Sequence, residues 1–378
     1  MIIKKILNNI KEKELKRIED KYIKSGSIKK IQDLIADKEP SLLFFIQIRI
    51  FGYLLENNVD KTVSKLGVKL RNLIHPIIAK KSPEFLMNPQ VIENRKFLMS
   101  EETELSKVPD DNPVILPKKS VIWLQNHGFK DDALSSVSSI PRHTYLFFGS
   151  LPQFYNSIYG ISAQLGGVVM TNRKVKESKI ASIDKGVKVL EYGADLMICP
   201  EATWNKTPEL LQLEYWDGFY HIAKKGGYQV VPIVHYLVDP FERTNPIHTV
   251  IDDPIDISNY TKEEAKQLLR DKIATWEYLM MEKYGKSTRE ELLNSGDTKL
   301  SYDEYWEGFL EKLLSEVDYY DKEIETSCDY RDKKIIRPED VYENIANIQN
   351  ITSYNASHIA YAENLVRTRK KRDFQRRF

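Results

Sequence analysis

The sequence predicts an α/β fold: a layered, largely parallel central sheet flanked by helices, with helical extensions at both ends. Two observations predict it. Between residues 121 and about 258, short apolar, β-branched runs alternate with stretches of helical periodicity, the pattern of a parallel sheet with crossover helices. On either side, over 1–110 and 261–378, the chain is rich in Lys, Ile and Leu or returns to helical spacing. Three regions follow: a helical N-terminal region (1–110) packing on its neighbour, an α/β domain (111–260), and a helical C-terminal region (261–378) ending in a basic tail.

Ile3, Ile6, Leu7 and Ile10 fall on one helical face with Lys4, Lys5, Lys11 and Lys13 nearby. That pattern suits an interfacial membrane helix, or an amphipathic helix docked on its own domain. The start has neither the apolar core nor the cleavage site of a secretory signal. The run PSLLFFIQIRIFGYLLE (40–56) is broken by Gln47, Arg49 and Gly52 and is too short and polar to span a bilayer. VPDDNPVILPKKS (108–120), with three prolines, reads as a linker or turn.

Strand-like runs follow at 121–125, 144–148, 167–171, 195–199, 228–234 and 248–252. Between the third and fourth, Ile180, Ile183, Val187 and Leu190 lie at helical spacing before Gly193, an amphipathic helix with a glycine stop. A second helix is expected over 210–227, also ending in glycine. Thr261 followed by Glu264 marks a helix start through a capping box.

Lys plus Arg total 56 and Asp plus Glu 55, with 42% hydrophobic residues. An ordinary core is expected and no net field for bulk nucleic-acid binding. The two cysteines, Cys199 and Cys328, make neither a disulfide framework nor a metal knuckle and fit a reducing cytoplasm. Cys199 reads as a small buried hydrophobe. No histidine pair has the H-E-x-x-H spacing of a metal hydrolase, so no metal site is expected.

In VIWLQNHGFKDD (121–132) an apolar run ends in Asn126-His127, and Asp132 follows five residues after the histidine. A histidine at a strand mouth with an acid one turn on suits a general base oriented by a carboxylate. Asp132 equally suits a plain helix N-cap. A second H-x4-D pair, His248 to Asp253, lies inside an expected strand and reads as coincidence. What distinguishes the first copy is its sequel: Gly167 six residues before Arg173, then Pro200-Glu201 after a strand, then Pro232 inside an apolar strand. His127, Arg173 and Glu201 each follow a strand-like run, and ligands of open α/β sheets bind at the carboxyl ends of strands. Singly, Arg173 reads as well as a surface charge and Glu201 as the cap of a turn. His221 reads as a core or surface histidine.

The order N-H-x4-D, G-x5-R, P-E-x-T, apolar strand with proline resembles the glycerolipid acyltransferases, the lysophosphatidic acid and related lysophospholipid acyltransferases, over roughly 110–260. The resemblance implies acyl transfer from a thioester, acyl-CoA or acyl-acyl carrier protein (acyl-ACP), to the hydroxyl of a lysophospholipid-like acceptor, with no tightly bound cofactor. His127 would remove the hydroxyl proton and Asp132 hold the imidazole. Arg173 would bind the acceptor phosphate. Glu201 and Thr203 would position the acceptor or shape the site by hydrogen bonding, and Asn126, Gly167, Pro200 and Pro232 complete the motif blocks. Amides near the start of the helix after His127 would face the oxyanion. The chain departs from the family pattern P-E-G-T-R at Ala202 and Trp204. Ala202 implies a backbone with no glycine-only conformation. Trp204 replaces an arginine, for which Lys206 would substitute, or it stacks on a different acceptor. Met170 stands where an aromatic is usual.

Rival readings are acyl transfer to a polar, non-glycerolipid acceptor, suggested by Trp204, and a non-catalytic lipid-binding protein of the same fold, for which a retained base has no use. The tail from Arg367 to Phe378 carries seven cations with Phe374 and Phe378 interleaved. Near an anionic leaflet each cation gains on the order of 1 kcal/mol, so the tail reads as a membrane-surface contact or a solvated terminus. A cytoplasmic protein, peripheral on the inner face of the membrane, is the expectation. Nothing in the sequence specifies the oligomeric state.

Overall fold

The computed structural model describes residues 63–86, 90–92, 97–99, 114–129, 132–149, 165–171, 176–202, 205, 211–237, 244–284 and 308. In chain order the elements are α1 (Lys65–Leu86), β1 (Gln90–Ile92), β2 (Phe97–Met99), β3 (Val114–Leu116), β4 (Ile122–Gln125), α2 (Asp132–Ser139), β5 (Thr144–Gly149), β6 (Val168–Thr171), α3 (Lys176–Glu191), β7 (Asp195–Ile198), α4 (Gly218–Gly226), β8 (Val230–Leu237), β9 (Ile247–Ile251) and α5 (Lys262–Tyr284). Seven strands form one sheet in the order β1-β9-β8-β4-β7-β5-β6, and β2 pairs with β3 apart from it. Only the β8–β9 pairing in the large sheet is antiparallel.

All six expected strands are present within three residues of their expected limits. They are apolar without alternation because both sheet faces are covered. Ile122, Leu124, Leu196, Ile198, Val230 and Val234 meet α3, α4 and α5 on one face. Trp123, Met197, Val231 and Ile233 pack with Val114 and Leu116 of β3 and with α2 on the other. The expected glycine stops hold: Gly193 and Gly227 have φ of 87° and 62°. The capping box holds too, with Thr261 N–H donating to Glu264 at 2.8 Å and Glu264 N–H to Thr261 Oγ1 at 3.3 Å.

Three expectations change. The region 1–110 is not wholly helical, because residues 90–92 add a strand to the main sheet and 97–99 pair with 114–116. That last segment lies inside the expected linker, whose prolines bracket a three-residue strand and so hid it. The helix expected over 210–227 begins only at Gly218. Residues 211–216 run irregular because Leu213 N–H and Trp216 N–H are bonded to Glu201 and to the Pro200 carbonyl. α5, from the C-terminal region, buries Ala265, Leu269, Ile273 and Met280 in the same core. Leu269, Ile273 and Met280 each contribute about 1.5–3 kcal/mol. The N-terminal face 1–13, the run 40–56, and the tail 367–378 lie outside the described residues.

Topology places the site. β4 connects through α2 to β5 on one side, whereas the next strand over, β7, connects through α4 to β8 on the other. Connections leaving adjacent strands in opposite directions open a crevice at their carboxyl ends. Asp195 fixes this pair from the opposite edge. It is buried, accepts Val121 N–H at 3.0 Å and Trp123 Nε1–H at 2.8 Å, and pairs with Arg142 at 3.0 Å.

Candidate active site

His127 leaves the end of β4 and Asp132 opens α2. Their side chains meet, His127 Nδ1 to Asp132 Oδ2 at 2.8 Å, with the aspartate side chain 1% and the histidine 21% exposed. The same Asp132 oxygen accepts Phe129 N–H at 3.3 Å, so it closes the turn into the helix as well as holding the ring. That amide is therefore engaged and does not face an oxyanion. In the neutral ring, Nδ1–H donated to the carboxylate leaves the lone pair on Nε2. Burial alone would depress the imidazole. The Asp132 carboxylate and the Cys199 side chain more than offset it, and His127 titrates well above the usual 6.5.

Cys199, the first residue after β7, is not a buried filler. Its half-buried thiol lies beside His127 and interacts with it electrostatically, and burial pushes its own titration upward. Residues 199–202 form a turn closed by Ala202 N–H to the Cys199 carbonyl at 3.0 Å, with Pro200 in the position where proline's fixed φ is favoured. Pro200 is thus a turn former whose carbonyl holds Trp216 N–H at 2.9 Å. Ala202 has φ of 61°, the only non-glycine with positive φ among the described residues. The backbone here was expected to need no glycine-only conformation; it lies in the left-handed region that glycine favours and that other residues adopt at a cost. The turn and its bonds impose that conformation, and alanine adopts it at about 1 kcal/mol.

Glu201 is buried and faces backbone, not solvent. Its Oε1 accepts His127 N–H at 3.0 Å and Oε2 accepts Leu213 N–H at 2.8 Å. Asn205 N–H closes the other side on the His127 carbonyl at 2.6 Å. Burial raises Glu201 to about 7 against the pull of those two amides. Of the two roles expected of Glu201, shaping the site by hydrogen bonding is the one present.

Asn126 has a structural role. Its side chain pairs with the His235 backbone both ways at 2.9 Å, extending β4 against β8. Gly167 precedes β6 at the amino end of the strands, opposite the edge that carries His127. Its φ is 108°, and an added Cβ would lie 2.9 Å from the Tyr145 ring. Pro232 sits within β8 beside Leu124 of β4, with its carbonyl accepting Asp252 N–H at 3.0 Å. Arg173, Thr203, Trp204 and Lys206 lie outside the described residues, as does the side chain of Met170. β6, which leads to Arg173, ends on the His127 edge. His248 is in β9, paired with Tyr236 and stacked on Tyr284, and His221 is exposed near Asp217. Neither joins the site.

Sequence reasoning missed the layer behind the pair. Gln125, Ser136 and His235 back Asp132 from the sheet. Gln212 and Glu277 lie under the loop, joined at 2.7 Å. Burial, then the charge of Glu201, raises Glu277 to about 8, while bonds from Gln212 and Asn126 oppose the rise. One signal was readable: Asp132, Ser135, Ser136 and Ser139 are all buried and repeat at i, i+3, i+4, i+7, a polar stripe at core spacing. Among the described residues no group of three His, Cys, Asp or Glu is placed to hold a metal ion. No described helix is long and apolar enough to cross a membrane.

Residues 102–236 match the family model named Acyltransferase. Over 177 residues the chain is 29% identical to a 1-acyl-sn-glycerol-3-phosphate acyltransferase of Borreliella burgdorferi, spanning 42% of this chain and 66% of that protein. It is 29% identical over 159 residues to a protein of the same name from Saccharomyces cerevisiae, spanning 39% and 52%. The chain thus spans less than two thirds of the length of either curated relative. Among solved structures, the crystal structure of the 1-acyl-sn-glycerophosphate (LPA) acyltransferase PlsC from Thermotoga maritima aligns over 63% of this chain and 93% of that one, at a TM-score of 0.40 and 15% identity.

Proposed function

We propose, from the premise that the chain belongs through residues 102–236 to the acyltransferase family, that it moves a fatty acyl group from a thioester to a hydroxyl. The observation that carries this reading is the 2.8 Å bond from His127 Nδ1 to Asp132 Oδ2 at the crevice between β4 and β7. It gives the imidazole a carboxylate that orients the ring and balances its charge. The acceptor is a lysophospholipid-like molecule such as 1-acyl-glycerol-3-phosphate, in keeping with the names of both curated relatives. The donor is acyl-CoA or acyl-ACP.

In this reading His127 Nε2 takes the acceptor hydroxyl proton as the oxygen attacks the thioester carbonyl. The tetrahedral intermediate collapses, the carbon–sulfur bond breaks, and the imidazolium returns the proton to the leaving thiolate. Asp132 remains ionised throughout. Arg173, two residues beyond β6, is proposed to bind the acceptor phosphate bidentately, Thr203 to position the acceptor or shape the site, and Lys206 to stand in for the arginine that Trp204 replaces. The tail 367–378 is proposed to hold the protein at an anionic membrane surface, on the cytoplasmic side. Vesicle binding unchanged by deleting 367–378 would end that part of the reading.

The test is mass spectrometry of products after the chain is offered acyl-CoA or acyl-ACP with lysophosphatidic acid, other lysolipids and polar hydroxyl acceptors. The expected result is an acylated lysolipid absent with His127→Ala. Acylation of only a polar acceptor would assign Trp204 to a different substrate. No acylation of any acceptor would overturn the enzyme.

A further inference from the structure

Asp132 has two carboxylate oxygens, and only Oδ2 faces the base. Oδ1 is held from behind by the Gln125 amide Nε2–H at 3.3 Å. The donors behind it follow without freedom. Gln125 donates through Nε2, so its Oε1 accepts, and its partner is the Ser136 hydroxyl. With its single proton directed there, Ser136 Oγ accepts from His235 Nε2, 2.5 Å away, which therefore carries the ring proton. His235 Nδ1 is left as an acceptor, with hydroxyls from Thr249 at 2.8 Å and Ser135 at 3.3 Å. Every donor from β9 through β8 and α2 to β4 points toward Asp132. Chains of aligned hydrogen bonds polarise one another in a dry interior, and all six residues are at most 1% exposed.

We infer that His235 is a positioning residue for the His127–Asp132 pair: its Nε2–H, relayed through Ser136 and Gln125, fixes Oδ1 of Asp132 so that Oδ2 stays aimed at His127. Its backbone holds the other partner, through the two bonds to the Asn126 side chain. One strand position thus grips the residue before the base and the acid beside it. Burial depresses the ring to about 4, so it is neutral and has the one proton that the relay requires. A histidine present for packing alone needs no directed chain to the carboxylate. The catalytic readouts below rest on the acyltransferase reading; the titration does not.

The experiment compares the full-length chain with Ser136→Ala, His235→Leu and His235→Gln. It records the titration of His127 by NMR of labelled imidazole, kcat and KM against pH, and Tm. Asp132, Cys199 and Glu201, the titratable groups facing His127, and Glu277 are unchanged in every variant. Ser136→Ala and His235→Leu are expected to lower the His127 pKa by about 1 unit as Asp132 loses its aim. They should reduce kcat roughly 10- to 100-fold, the scale of removing an outer orienting partner, with KM changed less than about 3-fold. Glutamine presents an N–H at the Nε2 position, so His235→Gln is expected to keep the His127 pKa and most of kcat. Ser136→Ala removes one oxygen and decides the matter should His235→Leu fail to fold. An unaltered His127 pKa in folded Ser136→Ala overturns the inference, and so does His235→Gln behaving like His235→Leu. If the unaltered chain transfers no acyl group, the acyltransferase reading fails while the titration still decides the relay.

Discussion

Glu201 is bonded to the backbone of His127 and not to its ring: Oε1 accepts the His127 N–H at 3.0 Å while Oε2 takes Leu213 N–H at 2.8 Å. The carboxylate is a staple between two loops, and it sets where His127 stands. Glu201→Gln turns an NH2 toward one of those amides, leaving a buried donor facing a donor at about 1–3 kcal/mol. A lower Tm and a kcat reduced about tenfold or more, with KM near its original value, are expected. A large rise in KM with kcat preserved would instead make Glu201 an acceptor contact.

The His127–Asp132 pair predicts a pH profile. Because His127 titrates well above 6.5, its basic form grows as pH rises, and kcat/KM should climb with unit slope on an acid limb centred above that value. Asp132→Asn removes the charge that raises the ring and the acceptor that sets its tautomer. Activity should fall roughly 10³- to 10⁴-fold, with the residual limb displaced to lower pH. An unmoved limb would mean that another group is being titrated.

Cys199 beside His127 predicts inactivation by small thiol reagents. Burial holds the thiol up, so alkylation should be slow at neutral pH and faster as pH rises. Activity should be lost with stoichiometric labelling of Cys199, and Cys199→Ala should resist. Inactivation that persists in Cys199→Ala would place the reactive group at Cys328.

Ala202 at φ of 61° predicts that Ala202→Gly removes strain. The gain, about 1 kcal/mol, is partly offset by the looser unfolded chain, so Tm should stay level or rise slightly. Ala202→Val should lower it, since a β-branched residue fits this conformation poorly. Equal Tm for all three proteins would refute the strain.

Glu277, raised to about 8 by burial and by Glu201, binds its proton more tightly folded than unfolded. Its stabilising contribution is complete below the ordinary glutamate range and is lost as pH rises through about 8. Glu201, raised to about 7, acts in the same direction over a lower window. Tm should therefore fall between pH 6 and 9 by on the order of 5 °C. Glu277→Gln should flatten that slope in calorimetric scans, and an unchanged slope would locate the titration elsewhere.

The strands of the main sheet from β4 onward were readable because burial on both faces makes each a short apolar run, and His127 with Asp132 was readable because both lie within one strand exit. β1 and β3 were not, since three residues carry too little pattern to stand out from a proline-rich stretch. The supports were hidden for a different reason. Gln125, His235 and Glu277 are polar residues inside apolar elements, and only the three-dimensional pairing of β4, β8 and α5 shows that each has a partner. The left-handed backbone of Ala202 was not legible because residue identity reports what a backbone prefers, not the conformation that the surrounding chain holds it in.

His127 and Asp132 are separated by five positions, but Glu201 lies 74 residues after the base and His235 lies 109 after Asn126. During synthesis at about 5–20 residues per second, the base and acid emerge seconds before the groups that hold them. A nascent chain ending between residues 202 and 229 would carry both reactive side chains with no β8 to aim them. The support for the pair therefore arrives late, when the eighth strand closes on the fourth and the ninth on the eighth.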